Sequence, residues 1–139
     1  MLLYIIFMDV LSNYNLELLE DLKLDQLNIL DKQLMLPALK HKWVSRLIFT
    51  KKQKNDLEKK KKSLKDEVLK KIEDEGLPHG VPKLALKSKV DGTKTIVDIS
   101  LTIEECDLVI EYLEKVEKIL SSMTYDITNS TKLLTMELS

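Results

Sequence analysis

The stretch KKQKNDLEKKKKSLKDEVLKK, residues 51–71, decides how the rest of this sequence is interpreted. It holds ten of the chain's 22 basic residues, and it contains no glycine, no proline and, apart from Val68, no β-branched residue. Because strong helix formers follow one another almost without interruption, the stretch predicts the middle of a long helix. The function of the chain is therefore expected to involve this basic helix.

Charge is strongly segregated along the 139 residues, although the net charge is only -1. Residues 1–39 carry two bases and six acids, and residues 40–71 carry thirteen bases and four acids, which gives net charges of -4 and +9. Residues 72–95 balance at four and four, and residues 96–139 carry three bases and nine acids, a net charge of -6. This pattern indicates either an anion-binding surface or charge matching between subunits.

Helix signals dominate the sequence and predict a mainly α fold, with long helices, a small extended or hairpin segment between them, and an oligomeric helical assembly. Residues 1–15 form an extension of uncertain structure. Residues 16–76 form an N-terminal helical region that includes the basic helix. Pro37 is expected in the first turn of that helix, where its missing N–H costs nothing, and Gly76 just beyond its end.

Residues 77–103 separate this region from the C-terminal helix and are predicted to be a linker. Apolar and polar residues alternate on both sides of Asp91-Gly92, which is a dipeptide typical of tight hairpin turns. The linker is therefore expected to contain a possible β-hairpin that packs on a helix or on another subunit.

The C-terminal helix, residues 104–139, is the most regular element, and Ser100 or Thr102 is expected to cap it. Its apolar residues follow one another at steps of four and three, which is a heptad seam. Such a seam packs either inside its own subunit or between subunits. Because only 5% of residues are aromatic, one chain has little core to offer, and the second interpretation is favoured. The predicted oligomerisation residues are Val109, Leu113, Val116, Leu120, Met123 and Ile127.

Residues that support catalysis or metal binding are scarce. The chain has two histidines, His41 and His79, and it lacks the GxSxG, HExxH and glycine-rich phosphate-loop motifs. Its one cysteine, Cys106, lies between two acids, which oppose thiolate formation and favour an ordinary helix residue. We therefore predict a protein that is not an enzyme and that uses no cofactor or metal.

The first eight residues, MLLYIIFM, are apolar but far shorter than the ~20 residues that a membrane-spanning helix needs. They indicate either an upstream start codon, with Met8 as the working start, or a helix tip that packs in an assembly. A lone cysteine fits a reducing compartment. The expected location is the cytoplasm, with no membrane partner.

The lysines of the basic helix are not equivalent. Four acid-first pairs at i,i+4 are expected to neutralise part of the charge: Asp56–Lys60, Glu58–Lys62, Asp66–Lys70 and Glu67–Lys71. Five lysines lack such a partner and are expected to form a cluster of like charges that a polyanion would relieve: Lys51, Lys52, Lys59, Lys61 and Lys65. A solvated helix face is the alternative interpretation of the same charges.

Phosphate-backbone binding is the function that this charge pattern favours. Lysines without interleaved Phe or Tyr indicate electrostatic, sequence-tolerant contact rather than base stacking. Trp43, which lies between Lys42 and Arg46 near the start of residues 40–71, is expected in the core rather than as a stacking platform. The candidate DNA-binding residues are Lys42, Arg46, Lys51, Lys52, Lys54, Lys59, Lys61, Lys62 and Lys65.

Two segments of the sequence resemble a known family, the UvsY recombination mediators of T-even phages and their marine relatives. PALKHKWVSRL, residues 37–47, is similar to that family's P-x-L-x-x-K-[WY]-L segment. IVDISLTIEECDLVIEYLEKVEKIL, residues 96–120, is similar to the family's V-D-x-S/Y-L segment and the C-terminal helix that follows it. Length and order of elements agree over residues 24–135.

The resemblance implies a cytoplasmic, non-enzymatic, ring-like oligomer of six or seven helical subunits. Such a protein binds single-stranded DNA, helps to displace the single-strand-binding protein, and loads a RecA-like recombinase. In that family the basic helix contacts DNA and the C-terminal helix assembles the ring. Family members carry further basic and aromatic residues late in the basic helix, where this chain has acids, so we place the DNA contacts within residues 51–65. The alternative function is a coiled-coil structural or adaptor protein without a nucleic-acid role.

Overall fold

The computed structural model of the chain describes residues 2–25, 28–76 and 82–138. These residues form four α-helices, and no strand occurs among them. The prediction of a mainly α fold is confirmed, whereas the expected assembly of several chains stays a prediction. The helices are α1 (Leu2–Asp21), α2 (Ile29–Asp74), α3 (Lys83–Asp91) and α4 (Lys94–Leu138).

The junction between α1 and α2 is closed by polar side chains. The backbone N–H of Asp25 donates to Asn28 Oδ1 at 2.7 Å, and the backbone N–H of Asn28 donates to Asp25 Oδ1 at 2.9 Å. Lys32 Nζ donates to the carbonyl oxygens of Glu20 and Asp21, each at 3.0 Å. A cation that binds the last carbonyls of α1 satisfies groups that have no partner within the helix.

The basic helix is longer than expected at its start and ends as expected. Pro37 lies inside α2 rather than in its first turn, so that prediction is wrong. The helix begins eight residues earlier, at Ile29, directly after the polar junction, and Pro37 is exposed within it. At the other end, Gly76 has a φ of +82°, the left-handed conformation in which glycine commonly follows a helix.

The predicted β-hairpin is wrong for residues 82–103, because α3 and the first part of α4 occupy them. A type I′ hairpin turn needs positive φ at both central residues, whereas Gly92 has a φ of -82°. The helix after it begins at Lys94, so Ser100 and Thr102 do not cap it. Their hydroxyls instead donate to the carbonyl oxygens four residues earlier, at 2.8 and 3.1 Å. The remaining linker residues, 77–81, lie outside the described residues.

The chain forms two compact units. The first contains the residues up to Thr50 and those from Leu108 onward. Its core is formed by buried residues on one face of each of α1, α2 and α4. Leu18 comes from α1; the α2 residues are Ile29, Leu36, Trp43 and Leu47; and the α4 residues are Val109, Leu113, Val116, Leu120, Met123 and Ile127.

The second unit contains the residues between Lys51 and Asp107: the remainder of α2, all of α3 and the start of α4. Its buried apolar side chains come from α3 and α4 and are spaced three and four apart along α4. They are Val90, Ile96, Ile99, Ile103 and Cys106. This spacing continues the heptad seam towards the N-terminus, and it is the sequence signal that α4 begins before residue 104.

Candidate nucleic-acid interface

The part of α2 that lies in the second unit carries the ten lysines of the basic stretch. Leu57, Leu64 and Val68 form its half-buried apolar line, in agreement with the helical spacing of these residues. Seven of the ten lysines are exposed, and three are half-buried, namely Lys54, Lys61 and Lys65. A helix whose apolar line is this narrow turns most of its surface, and most of its charge, to solvent.

The four i,i+4 pairs expected along this helix are not formed, because none of them reaches ion-pair distance among the described residues. Exposed pairs of this kind gain little against the entropy of two long side chains. Two other lysines contact acids from distant parts of the sequence. Lys54 Nζ lies 2.6 Å from Asp107 Oδ1, and Lys65 Nζ lies 2.9 Å from Asp91 Oδ1. The hydrogen bond to Asp107 raises the pKa of Lys54.

Among the candidate DNA-binding residues, three exposed lysines form no ion pair with any described residue, namely Lys52, Lys59 and Lys62. Lys62 belongs to this group because the expected pair with Glu58 is absent; Glu58 lies 3.9 Å from Lys54 instead. Lys51 is also exposed. Lys52, Lys59 and Lys62 can exchange water and counterions for phosphate oxygens without breaking an ion pair with the described residues.

Lys42 and Arg46, the other two candidates, belong to the first unit and contact carboxylates there. Arg46 holds Glu17 through two hydrogen bonds, Nη1 to Oε2 at 2.7 Å and Nη2 to Oε1 at 3.1 Å. Lys42 Nζ donates to Glu17 Oε1 at 3.0 Å and to Asp21 Oδ2 at 2.6 Å. The hydrogen bond from Arg46 is the largest cause that lowers the pKa of Glu17 to about 2. Both cations are thus engaged in holding α1 on α2.

Trp43 lies at the centre of this cluster and is 1% exposed. Its Nε1 donates to Asp21 Oδ2 at 2.9 Å, and its ring meets that of Tyr14 edge-on at a centroid distance of 5.5 Å. The Arg46 guanidinium lies 4.7 Å from the Trp43 ring centroid, a cation–π distance. The prediction that Trp43 is a core residue rather than a stacking platform is confirmed.

The heptad seam of α4 is covered by its own chain. Its six residues are 1–3% exposed and pack against Leu36, Trp43 and Leu47 of α2, among others. Side chains that are already removed from water cannot be buried a second time between subunits. The assignment of these residues to an interface between subunits is therefore not supported, and the intrasubunit alternative describes their placement. The six residues are Val109, Leu113, Val116, Leu120, Met123 and Ile127.

The remaining sequence candidates contribute no site in the described part of the chain. Cys106 is buried in α4, and burial raises the pKa of its thiol, with Asp107 adding to the effect. His41 is exposed on α2, whereas His79 lies outside the described residues. No group of acids, cysteines and histidines among these residues could hold a metal ion. No helix in the described ranges is long and apolar enough to cross a membrane.

Comparisons with known proteins agree with the arrangement of helices. The sequence profile of the family described as "Recombination, repair and ssDNA binding protein UvsY" matches residues 17–137. A search of curated protein sequences finds no match.

Two crystal structures of the bacteriophage T4 recombination mediator protein UvsY, in different lattice types, share the fold at TM-scores of 0.79 and 0.76. Each is 15% identical to this chain. The two alignments cover 91% and 93% of this chain, and each covers 98% of the T4 protein's chain. The structural similarity at this identity shows the fold alone. The profile spans nearly all of the sequence, and it shows that this chain belongs to the UvsY family.

Proposed function

We propose that this protein is a recombination mediator that binds single-stranded DNA through the exposed lysines of α2. The observation that carries the proposal is the group formed by Lys52, Lys59 and Lys62, which are exposed and form no ion pair with the described residues. The description of the family as a single-stranded DNA-binding protein supports it. The strongest contacts are expected within residues 51–65, ahead of the acidic end of the helix.

Lysine side chains bind a strand by replacing the counterions that surround its phosphates. Each neutralised phosphate releases counterions, so the affinity falls as salt rises, with a slope of about -0.7 per contact for single strands. Lysine ammonium groups are point charges on flexible stems, and they do not read base edges in one fixed geometry. Binding is therefore expected to tolerate any base sequence.

The mediator role requires that several such helices act on one strand. A few lysines per chain bind weakly, and linking several copies in one assembly multiplies their effect. We propose an oligomer of six or seven chains, which displaces the single-strand-binding protein by competing for phosphates and presents the strand to a RecA-like recombinase. These steps use binding energy alone, so the proposed role is non-enzymatic and needs no cofactor.

One observation favours the alternative of a structural or adaptor protein. Lys54 contacts Asp107 at 2.6 Å and Lys65 contacts Asp91 at 2.9 Å, which shows that acids of the chain itself can take up charge from α2. An adaptor would bind no DNA, and contacts of this type would hold its assembly, so high salt would dissolve it. Solution mass measured in low and high salt, with and without oligothymidylate, separates the two functions.

The direct test is a salt titration of oligothymidylate binding, measured by fluorescence anisotropy. The wild-type protein should show a steep negative slope of log affinity against log salt. Lys59→Ala/Lys62→Ala should weaken binding by at least about tenfold near 0.2 M salt and reduce the steepness of the slope by about 1.4 for each chain that contacts the strand, the value for two lost contacts.

The matched control is Lys118→Ala/Lys132→Ala, which removes the same charge from exposed positions of α4. It should bind within twofold of the wild type. A flat wild-type slope, or equal losses in the two variants, would show that α2 is not the DNA-binding surface.

A further inference from the structure

A second concentration of positive charge follows the basic helix in the sequence. Residues 82–97 hold four lysines and one acid, Asp91, which gives a net charge of +3. The charge count over residues 72–95 conceals this segment, because three acids at positions 73–75 balance it. All four of its lysines are exposed in the structure: Lys83, Lys87, Lys89 and Lys94.

Helices α2 and α3 border a cleft of about 310 Å³ in the second unit. Three cationic side chains line it, namely Lys65 from α2 and Lys83 and Lys87 from α3. Asp66 and Asp91 also line the cleft, and apolar side chains complete its wall. Lys83 and Lys87 are one helical turn apart, so both lie on the side of α3 that borders the cleft.

Asp91 shows that positive charge from both helices converges on this place. Its carboxylate binds Lys65 at 2.9 Å, and this hydrogen bond is the main cause that lowers the pKa of Asp91. The charges of Lys65, Lys87 and Lys61 lower it further. Within the described part of the chain, Lys83 and Lys87 form no ion pair of their own. Three cations thus line the cleft with two carboxylates, Asp66 and Asp91, and the excess positive charge is available to a ligand.

We propose that the cleft between α2 and α3 is a second binding site for the phosphate backbone of single-stranded DNA, in which Lys83 and Lys87 act together with Lys65. The inference rests on the proposed function and extends the path of the strand beyond α2. A phosphate that enters the cleft replaces Asp91 as the partner of Lys65. Asp91 holds that lysine in place while the site is empty, and it competes with the strand for the same ammonium group.

The test compares variants in the full chain by the anisotropy titration with oligothymidylate. Lys83→Ala/Lys87→Ala should weaken binding by at least about tenfold near 0.2 M salt and reduce the steepness of the salt slope by about 1.4 for each chain whose cleft contacts the strand. Lys83→Arg/Lys87→Arg keeps the charge and should bind within twofold of the wild type. Lys118→Ala/Lys132→Ala is again the control for loss of charge. Circular dichroism should show the same helix content in all variants, because the substituted side chains are exposed.

A second variant tests the competition directly. Asp91→Asn removes the negative charge that Lys65 contacts, and it should tighten binding by about two- to threefold at low salt. Unchanged or weaker binding of this variant would contradict the competition.

The outcomes separate the two proposals. If Lys59→Ala/Lys62→Ala weakens binding while Lys83→Ala/Lys87→Ala matches the control, the cleft is not a DNA site and the proposed function stands. If the wild-type protein itself shows no salt-dependent binding, both proposals are overturned.

Discussion

Two groups of basic residues on the same helix, α2, differ in what surrounds them. Lys42 and Arg46 contact Glu17 and Asp21 of α1 at 2.6–3.1 Å and lie beside a buried tryptophan. Lys59 and Lys62, four to five turns further along, are exposed and form no ion pair with the described residues. The difference indicates that a basic residue binds a polyanion most readily where the fold brings no acid to it, since no ion pair then has to be exchanged for the phosphate.

The largest expected effect concerns the tryptophan of the first group. Trp43→Ala removes a side chain that is 1% exposed, its hydrogen bond to Asp21 and its ring contacts. It should lower the free energy of unfolding by about 3–5 kcal/mol, measured by urea denaturation. Phe49→Ala, at a position that is 62% exposed on the same helix, should change stability by less than about 0.5 kcal/mol. Similar losses in the two variants would contradict the placement of Trp43.

An effect of intermediate size is expected when one basic residue of each group is replaced by alanine and the stability and the salt slope of the two variants are compared. Arg46→Ala loses two hydrogen bonds to Glu17 and two cation–π contacts, and it should lower the free energy of unfolding by about 1–2 kcal/mol. The salt slope of DNA binding should stay at the wild-type value. Lys62→Ala should do the reverse, with stability unchanged within about 0.5 kcal/mol and a slope less steep by about 0.7 for each chain that contacts the strand. A reduced slope for folded Arg46→Ala would return Arg46 to the set of DNA contacts.

The smallest effect is a pH dependence that belongs to the first group. The pKa of Glu17 falls from 4.5 to about 2 in the fold, chiefly through its hydrogen bond with Arg46. A lowered pKa stabilises the fold at pH values above 4.5, and this stabilisation is lost as the pH falls towards about 2.

Because the Glu17 side chain is 38% exposed, solvent screening limits the contribution to about 1 kcal/mol. Urea denaturation between about pH 6 and 2.5 should show a shallower loss of stability for Glu17→Gln than for the wild type. Parallel curves would exclude Glu17 as a source of the acid sensitivity.

Helix ends could be predicted from the sequence where a single residue type decides the local conformation. The end of α2 could be predicted because Gly76 adopts a left-handed conformation that other residues disfavour. The start of α2 could not be predicted, because it depends on two reciprocal hydrogen bonds between the backbone and side chains of Asp25 and Asn28. The alternation around Asp91-Gly92 suggested a hairpin because both helical and extended spacing fit a short run of apolar residues.

Some features of the candidate site could likewise be predicted from the sequence, and others could not. The charge count and the run of helix formers identified the basic stretch, whereas the i,i+4 spacing predicted a pair between Glu58 and Lys62 that does not form. The partners of Lys54 and Lys65 could not be predicted, since Asp107 and Asp91 are separated from them by long stretches of sequence and are brought near only by packing. The same packing covers the heptad seam, which periodicity alone assigns equally well to an interface within or between chains.

The passage of α2 from Thr50 to Lys51 without a break has a consequence for how this chain can be dissected. The second unit lies between two segments of the first unit in the sequence, and both of its boundaries fall inside helices, α2 and α4. A fragment of residues 51–107 would begin with four backbone N–H groups and end with four carbonyl groups deprived of their partners in the helix. Fraying of those turns would remove the backbone that positions Lys54 and Asp107. The unit that carries the exposed lysines of α2 is therefore a region whose order depends on the helices that run through it, rather than a module that can be transplanted.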